Sequence, residues 1–427
     1  MKKMRILPEM TGKNLLLGFQ HVFAMFGATV LVPLITGLNI STTLFAAGVG
    51  TLLFHFITKG KVPAFLGSSF AFLGGFAIVA PKLLDANGEA TIPNVEMLPY
   101  ACGGVVAAGL LYIVMAGLIK AFGIKKIMRF FPPIVTGPII ISIGLILAPS
   151  AITNASTNWL LAVIALAIII ICNIWGKGMI KIIPILLSVV GSYIIALCIG
   201  AVDFSAVTSA SFIGSPVIPE AFAKFDISAI ITIMPIALAA MMEHIGDIAA
   251  ISATTGENYI EDPGLHRTLL GDGIATSFAG FIGGPANTTY GENTGVLALT
   301  KVYDPAIVRL AAVIAVILSC VPKFDAIVNS IPAAIIGGVS LILYGMISAV
   351  GVRNIVENKI DFTQSRNLII AAVILVSALG FNSTGGITFT VAGATITLSG
   401  LAIAAILGIA LNAILPGNDY EFGKKAE

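Results

Sequence analysis

The sequence predicts an all-α polytopic membrane protein with fourteen transmembrane segments in two inverted seven-span repeats. Of its 427 residues, 57% are hydrophobic and 10% are charged, whereas about 25% of residues are charged in an ordinary soluble domain. The uncharged stretches 14–58, 130–176 and 367–418 are each long enough for two spans of about 20 residues. The net charge of +2 gives no reason to expect nucleic-acid binding.

Hydrophobic segments and positive charges together set the predicted count and orientation. Of the 23 lysine and arginine residues, only Lys82, Lys224 and Lys323 fall outside when both termini are cytoplasmic. The positive-inside rule predicts this bias, so we expect a multi-pass protein of the inner (cytoplasmic) membrane. Its predicted spans are 14–36, 42–58, 63–81, 97–119, 131–149, 157–175, 180–200, 227–253, 267–284, 286–301, 305–321, 328–350, 367–381 and 394–416.

The polar-leaning stretch 201–226 lies near the midpoint and is the predicted joint between the halves. Seven is an odd number, so the second half must enter the membrane upside down, as in many transporters. Three short echoes keep the same order in both halves: Gln20-His21 with Glu243-His244, Ser68-Ser69-Phe70 with Thr288-Thr289-Tyr290, and Pro132/Gly137 with Pro332/Gly337.

The third and tenth spans are predicted to begin with short extended stretches. Both open with proline and glycine, followed by serine or threonine and an aromatic residue, in the runs 62–70 and 283–291. Extended backbone survives at membrane depth only where it is buried in protein or lines a cavity. A pair of interrupted segments at equivalent positions indicates a transporter binding site, with the positive ends of two half-helices facing one pocket.

Four acidic residues lie inside predicted spans: Glu243, Asp247, Asp272 and Glu292. Glu243 and Asp247 are four residues apart and share a helix face. A buried carboxyl group can accept hydrogen bonds from a substrate or carry a proton, and the alternative is that it only ties helices together. His21 in the first span is open to both interpretations.

Aromatic residues near the interrupted spans could stack on a planar ligand. Phe70 and Tyr290 lie on these segments, while Tyr344 in the twelfth span could equally serve packing. The four cysteines and four histidines show no metal-ligand spacing, so we expect no metal, no other cofactor and no enzyme. An intramembrane hydrolase, a channel and an anion transporter remain weaker alternatives.

Four motifs resemble those of the nucleobase–ascorbate transporter family (nucleobase:cation symporter-2). They are Glu292-Asn293-x-Gly295-x4-Thr300-Lys301, Gln20-His21, Glu243-His244-Ile245-Gly246 and Gly67-Ser68-Ser69-Phe70-Ala71-Phe72. The resemblance covers essentially the whole chain. It implies a core domain (residues 1–120 and 226–322) that carries substrate past a gate domain (121–225 and 323–427) in an elevator-like movement, with a homodimer formed through the gate.

The resemblance also implies a substrate. A glutamate at position 292 is typical of members that carry uracil with a proton, while Asp247 and Asp272 are typical of purine-type members, so a xanthine or urate permease stays open. By the same resemblance, Glu243 and Glu292 bind the base, and Phe70, Tyr290, Gly291 and Tyr344 line its pocket. The remaining positions of the implied proton-coupling or core network are His21, Asp247, Asp272, Asn293 and Gln20.

Overall fold

The computed structural model describes residues 7–84, 90–391 and 394–417, and most of them are helical. The predicted cytoplasmic tails at 1–6 and 418–427 lie outside the described residues. The helices are α1 (Gly12–Thr36), α2 (Ile40–Ile57), α3 (Leu73–Val79), α4 (Leu98–Phe122), α5 (Ile124–Met128), α6 (Pro133–Ser156), α7 (Trp159–Ile174), α8 (Met179–Ile182), α9 (Pro184–Cys198), α10 (Ser205–Ser209), α11 (Ile227–Ile233), α12 (Ala237–Thr255), α13 (Leu265–Phe281), α14 (Gly291–Thr300), α15 (Pro305–Ser319), α16 (Pro322–Asn329), α17 (Ala333–Glu357), α18 (Ser365–Ser383) and α19 (Gly400–Ile414).

Within the described ranges, six short strands form three antiparallel pairs, and 3₁₀ turns adjoin some of the helices. Phe70–Phe72 is such a turn before α3, and Met234–Ile236 joins α11 to α12. The strands are β1 (Leu66–Ser68) with β4 (Asn287–Thr289), β2 (Leu83–Leu84) with β3 (Ala90–Ile92), and β5 (Ile387–Val391) with β6 (Ala394–Leu398).

Every predicted span contains a helix, and the structure is that of a multi-pass membrane protein. Seven helical stretches in the described part of the chain are long and apolar enough to cross a membrane, and α15 with α16 adds an eighth if this pair, bent by 85°, counts as one span. Shorter apolar helices, α7, α9, α19 and the stretch Phe70–Val79, account for four more predicted segments. Helices α13 and α14 are less apolar. The total of fourteen spans therefore stays a prediction.

Glycines allow the longest helices to pack closely. On α6, a Cβ atom at Gly144 would lie 2.1 Å from the Tyr344 carbonyl oxygen of α17. On α17, a Cβ atom at Gly351 would lie 2.7 Å from the Gly137 carbonyl oxygen of α6. Small residues at such positions let backbones approach in membranes, where no hydrophobic force drives helices together. The pair α6–α17 thus forms a tight unit.

The long helices form two sets, and the strand pair β1–β4 packs on α1, α2 and α13 of the first set. In one set α13 packs on α2 and α4, and α15 packs on α1 and α2. In the other set α17 packs on α6 and α7, α18 packs on α6 and α19, and α7 packs on α9.

The extended stretches are present where the sequence predicts them. Strands β1 and β4 pair antiparallel, with Leu66 opposite Thr289 and Ser68 opposite Asn287. Beyond the pair, the Tyr290 amide donates to the Phe65 carbonyl oxygen at 3.0 Å, which satisfies two backbone groups that lipid could not.

Candidate functional site

A cavity of about 960 Å³ lies beside the β1–β4 crossing. Its wall near the crossing includes Phe70, Glu243 and Glu292. From there the cavity extends along α8 and α17 as far as Lys181 and Arg353. The cavity therefore joins the interrupted segments to a polar end of the molecule.

The carboxyl groups on the cavity wall come from two helices. Glu243 and Asp247 lie one turn apart on α12, and Glu292 lies in the first turn of α14. No side chain caps the N-terminus of α14, so its free N–H groups accompany the positive end of its dipole. A Cβ atom built on Gly291 would lie 3.8 Å from Asp247 Oδ1, so bare backbone borders the cavity beside this carboxyl group.

Tyr290 fastens the two crossing segments together. Its hydroxyl donates to the Ser68 carbonyl oxygen at 3.0 Å and lies 3.4 Å from Thr29 Oγ1. A Cβ atom on Gly67 would come within 2.4 Å of Tyr290 Cε2, so only glycine leaves room for this ring. The tyrosine both borders the cavity and fixes its frame.

The two other predicted aromatic residues meet each other. The Phe70 and Tyr344 ring centroids are 6.5 Å apart with the planes at 72°, an edge-to-face contact. Phe70 borders the cavity, whereas Tyr344 is 2% exposed and lies behind Phe70 rather than on the wall. Contact of Tyr344 with a substrate stays a prediction.

Polar side chains link Asp247 to Asp272. The Thr289 hydroxyl donates to Asp247 Oδ2 at 2.9 Å and lies 3.4 Å from His244 Nδ1. His244 Nδ1 lies 3.2 Å from Asp272 Oδ2, and both of these side chains are fully buried. The sequence does not single out Thr289 or His244 as site residues, although both belong to the echoes between the halves.

A second polar contact lies behind α14. Asn293 Nδ2 is 3.1 Å from His21 Nδ1 and donates to the His21 carbonyl oxygen at 3.1 Å. His21 is 1% exposed, and neither residue borders the cavity. Gln20 is half-buried and its Oε1 has no hydrogen-bond partner. The structure thus joins His21 to Asn293 but brings neither into the Asp272 group.

Thr289 and two further hydroxyl residues of the crossing, Ser68 and Thr288, border the cavity, although the sequence does not predict them as site residues. Ser68 and Thr288 lie on β1 and β4, and the Thr288 hydroxyl is buried without a hydrogen-bond partner. The repeated Ser-Ser and Thr-Thr dipeptides are the signal that could have identified them. Within the described ranges no three His, Cys, Asp or Glu residues are grouped to hold a metal ion.

Comparison with known proteins identifies the family. A model described as "Permease family" matches residues 12–388, which is most of the chain. The chain belongs to this permease family. The resemblance to nucleobase transporters is thereby confirmed, and the permease is a transporter rather than an enzyme.

Curated relatives match the permease over nearly its full length. The uracil permease of Bacillus caldolyticus is 41% identical over 419 residues, which are 95% of this chain and 93% of that protein. The uracil permease of Bacillus subtilis is 41% identical over 414 residues, covering 93% of this chain and 91% of that protein.

A solved structure has a similar fold at low sequence identity. SLC26A9 matches with a TM-score of 0.69 and 12% identity, covering 94% of this chain and 64% of that one. At this identity the likeness shows the fold alone. The permease therefore has a known membrane-transporter architecture.

Proposed function

We propose that the permease carries uracil across the cytoplasmic membrane by proton symport, with alternating access. The observation that carries the proposal is the shared cavity wall, where Glu243, Glu292, Phe70 and Tyr290 meet at the β1–β4 crossing. The uracil permeases at 41% identity support the same substrate. They do not favour the purine alternative that Asp247 and Asp272 leave open in the sequence.

The chemistry of the wall suits a small, neutral, planar amide. Uracil has two ring N–H donors and two carbonyl acceptors. In the proposal Glu243 and Glu292 accept hydrogen bonds from the ring, and the backbone N–H of Gly291 donates to a carbonyl. The faces of Phe70 and Tyr290 hold the ring plane. An analogue of uracil that leaves one of these buried groups unpaired loses about 1–3 kcal/mol of binding free energy.

Proton coupling would use the polar residues around this wall. Asp247 borders the cavity and reaches Asp272 through two intermediate side chains. In the proposal His21 and Asn293, which are hydrogen-bonded behind α14, brace this network. A proton moving inward brings about 2.3 kcal/mol per 100 mV of membrane potential, which can drive accumulation of a neutral solute.

We infer that the chain has fourteen spans in two inverted repeats, and the helix packing supports this. The contact of α2 with α15 has its counterpart in that of α13 with α4. Likewise α7 on α9 corresponds to α18 on α19, and α6 on α18 corresponds to α17 on α7. In each case, replacing both helices of one contact by their counterparts in the other half gives the second contact.

The two helix sets support the proposed domains. Residues 1–120 with 226–322 form the core, 121–225 with 323–427 form the gate, and sliding of the core against the gate would expose the cavity alternately. In the orientation with both termini cytoplasmic, Lys181 and Arg353 lie on the cytoplasmic side, so this structure is inward-open. Gate contacts would join two copies within the bilayer, which cross-linking of native membranes tests.

Uptake of labelled uracil into proteoliposomes tests the function. We expect uptake when the side from which uracil enters is acidic, and a loss of accumulation when a protonophore is added. Excess unlabelled xanthine should leave this uptake largely unchanged. Uptake that ignores the protonophore would contradict symport, and inhibition by xanthine at uracil-like concentration would favour the purine alternative.

A further inference from the structure

A line of four polar side chains runs from the cavity wall into the closed interior between α12 and α13. Asp247 and Thr289 border the cavity, whereas His244 and Asp272 do not. The Thr289 hydroxyl lies 2.9 Å from Asp247 Oδ2 and 3.4 Å from His244 Nδ1, and this nitrogen lies 3.2 Å from Asp272 Oδ2. Both Asp272 carboxyl oxygens and His244 Nε2 are buried without a hydrogen-bond partner, so the 3.2 Å contact of Asp272 Oδ2 with His244 Nδ1 is an ion-pair distance. The line of polar side chains therefore ends at Asp272, and its polar neighbour, His244, connects it back toward the cavity.

His244 Nδ1, in the middle of this line, has two polar neighbours but can form a hydrogen bond with only one of them at a time. Nδ1 carries either a hydrogen or a lone pair. As a donor it favours a charged Asp272, and as an acceptor it takes the hydrogen of a protonated Asp272 or of Thr289. The Thr289 hydroxyl likewise has one hydrogen, which it gives to Asp247 while Asp247 is charged. A proton on Asp247 reverses this bond and turns the Thr289 hydrogen toward His244.

A lone aspartate charge in this interior would be very costly, because Asp272 is fully buried at membrane depth. Sharing one proton with His244 removes that cost. We propose that the Asp272–His244 pair holds the transported proton during the crossing. This inference rests on the proposed proton symport and assigns its storage site to a pair away from the substrate wall.

The transfer balances as the movement of one proton and no electrons. A proton from cavity water binds Asp247. As the Asp247 O–H bond breaks, a bond forms to Thr289 Oγ1, whose own hydrogen passes to His244 Nδ1. The hydrogen that Nδ1 had donated toward charged Asp272 passes to Asp272 Oδ2, which leaves His244 and Asp272 both neutral, and release runs in reverse.

Other titratable groups face this line from the packed elements. Glu243 on α12 and Glu292 on α14 lie on the cavity side. Tyr112 on α4 packs on the α13 backbone at Gly273, next to Asp272. On α2, His55 is bound to the Ala64 carbonyl oxygen and to Arg309. None of these groups is within hydrogen-bond distance of His244 Nδ1 or Asp272 in the part of the chain that the structure describes.

Two transport measurements distinguish proton transfer along this line of side chains from a purely structural role. Uracil exchange across equal pH needs no net proton movement, whereas gradient-driven uptake does. We expect Asp272→Asn, His244→Gln and Thr289→Val each to lower gradient-driven uptake relative to exchange by at least about tenfold, or about 1.4 kcal/mol. Thr276→Val is the matched control, because Thr276 also bonds β4, at the Asn287 carbonyl oxygen (2.8 Å), but lies outside the line. Its ratio should equal that of the wild type. An unchanged ratio in the first three variants, or equal loss of both activities, overturns the proposal.

Infrared spectra of the purified permease test the stored proton without any substrate. We expect a carbonyl band of a protonated carboxylic acid that is absent from Asp272→Asn and shifted in His244→Gln. If the Asp272→Asn spectrum matches the wild type, the storage site is wrong. If the band is present but the wild type moves no uracil, the storage site stands and the proposed substrate fails.

Discussion

The two crossing segments have the same frame but different chemistry. Strands β1 and β4 are three residues each and pair with one another, and each leads into a short helix. After β1 a 3₁₀ turn at Phe70 precedes α3, and no charged residue follows within that helix. After β4, α14 begins at once and carries Glu292 in its first turn.

The difference teaches that the paired strands supply the architecture, whereas the acidic side chains come from the second half of the chain. The N-terminal segment contributes backbone, hydroxyl groups and the Phe70 ring. Changes in the first half should therefore act through shape, and changes in the second half through hydrogen bonding and protons. The acidic residues of the site all come from the C-terminal half: Glu243, Asp247, Asp272 and Glu292.

The largest expected effect comes from removing the chemistry that only the second segment has. Glu292→Gln keeps the shape but replaces an acceptor oxygen with a donor. We expect uracil uptake to fall at least about tenfold, a loss of about 1.4 kcal/mol or more. Glu257→Gln, at an exposed glutamate beyond α12, is the control and should transport as the wild type does. Undiminished uptake by Glu292→Gln would remove this residue from the site.

A change of shape in the first segment should rank second. Gly67→Ala places a methyl group 2.4 Å from Tyr290 Cε2 and 2.8 Å from Thr29 Oγ1, and such overpacking costs about 1–3 kcal/mol. We expect a lower melting temperature and weaker uracil binding in a thermal-shift assay. Gly117→Ala on α4, with no atom within 4 Å of its Cβ, should change neither. A stable, fully active Gly67→Ala would show that the ring is not fixed by this close approach.

The contact behind α14 should give a third, intermediate effect. Asn293→Ala leaves buried His21 without its side-chain partner, and an unpaired buried group costs about 1–3 kcal/mol. We expect a reduced rate of uracil uptake and lower thermal stability together. Asn329→Ala removes a bond to Asp325 at an exposed position and should alter neither. Loss of uptake at full stability would point instead to direct substrate contact.

The smallest expected effect distinguishes the two tyrosines among the predicted aromatic residues, Tyr290 and Tyr344. Tyr290→Phe removes the bond to the Ser68 carbonyl oxygen, worth about 1 kcal/mol, or about fivefold in uracil affinity. Tyr344→Phe keeps the edge contact with Phe70 and should change affinity by less than about twofold. A larger loss from Tyr344→Phe than from Tyr290→Phe would place the Tyr344 hydroxyl at the substrate.

Local pattern predicts the interrupted spans because proline, glycine and hydroxyl residues disfavour a helix wherever they occur together. It also predicts the shared face of Glu243 and Asp247, since four residues make about one helical turn. The bond from Thr289 to Asp247 joins residues 42 positions apart. It depends on how β4 crosses α12, which no local pattern encodes.

The position of Tyr344 could not be predicted for a different reason. Helix α17 is apolar on nearly every side: it packs on α6 and α7, and it also has exposed apolar residues such as Met346 and Val350. In a soluble helix the polar face reveals which side is buried, but a membrane helix gives no such contrast. Its rotation about its own axis follows from glycine contacts with α6 instead.

The bond from the Tyr290 amide to the Phe65 carbonyl oxygen, together with the β1–β4 pair, has a mechanical consequence. Main-chain hydrogen bonds join the two interrupted segments, and these bonds involve no side-chain atom. Neither interrupted segment can move outward alone without leaving backbone amide groups unpaired in hydrocarbon. In the proposed transport cycle, a solute bound at this pair would move together with both segments, and the contacts of this rigid unit with the proposed gate would decide which compartment the solute meets.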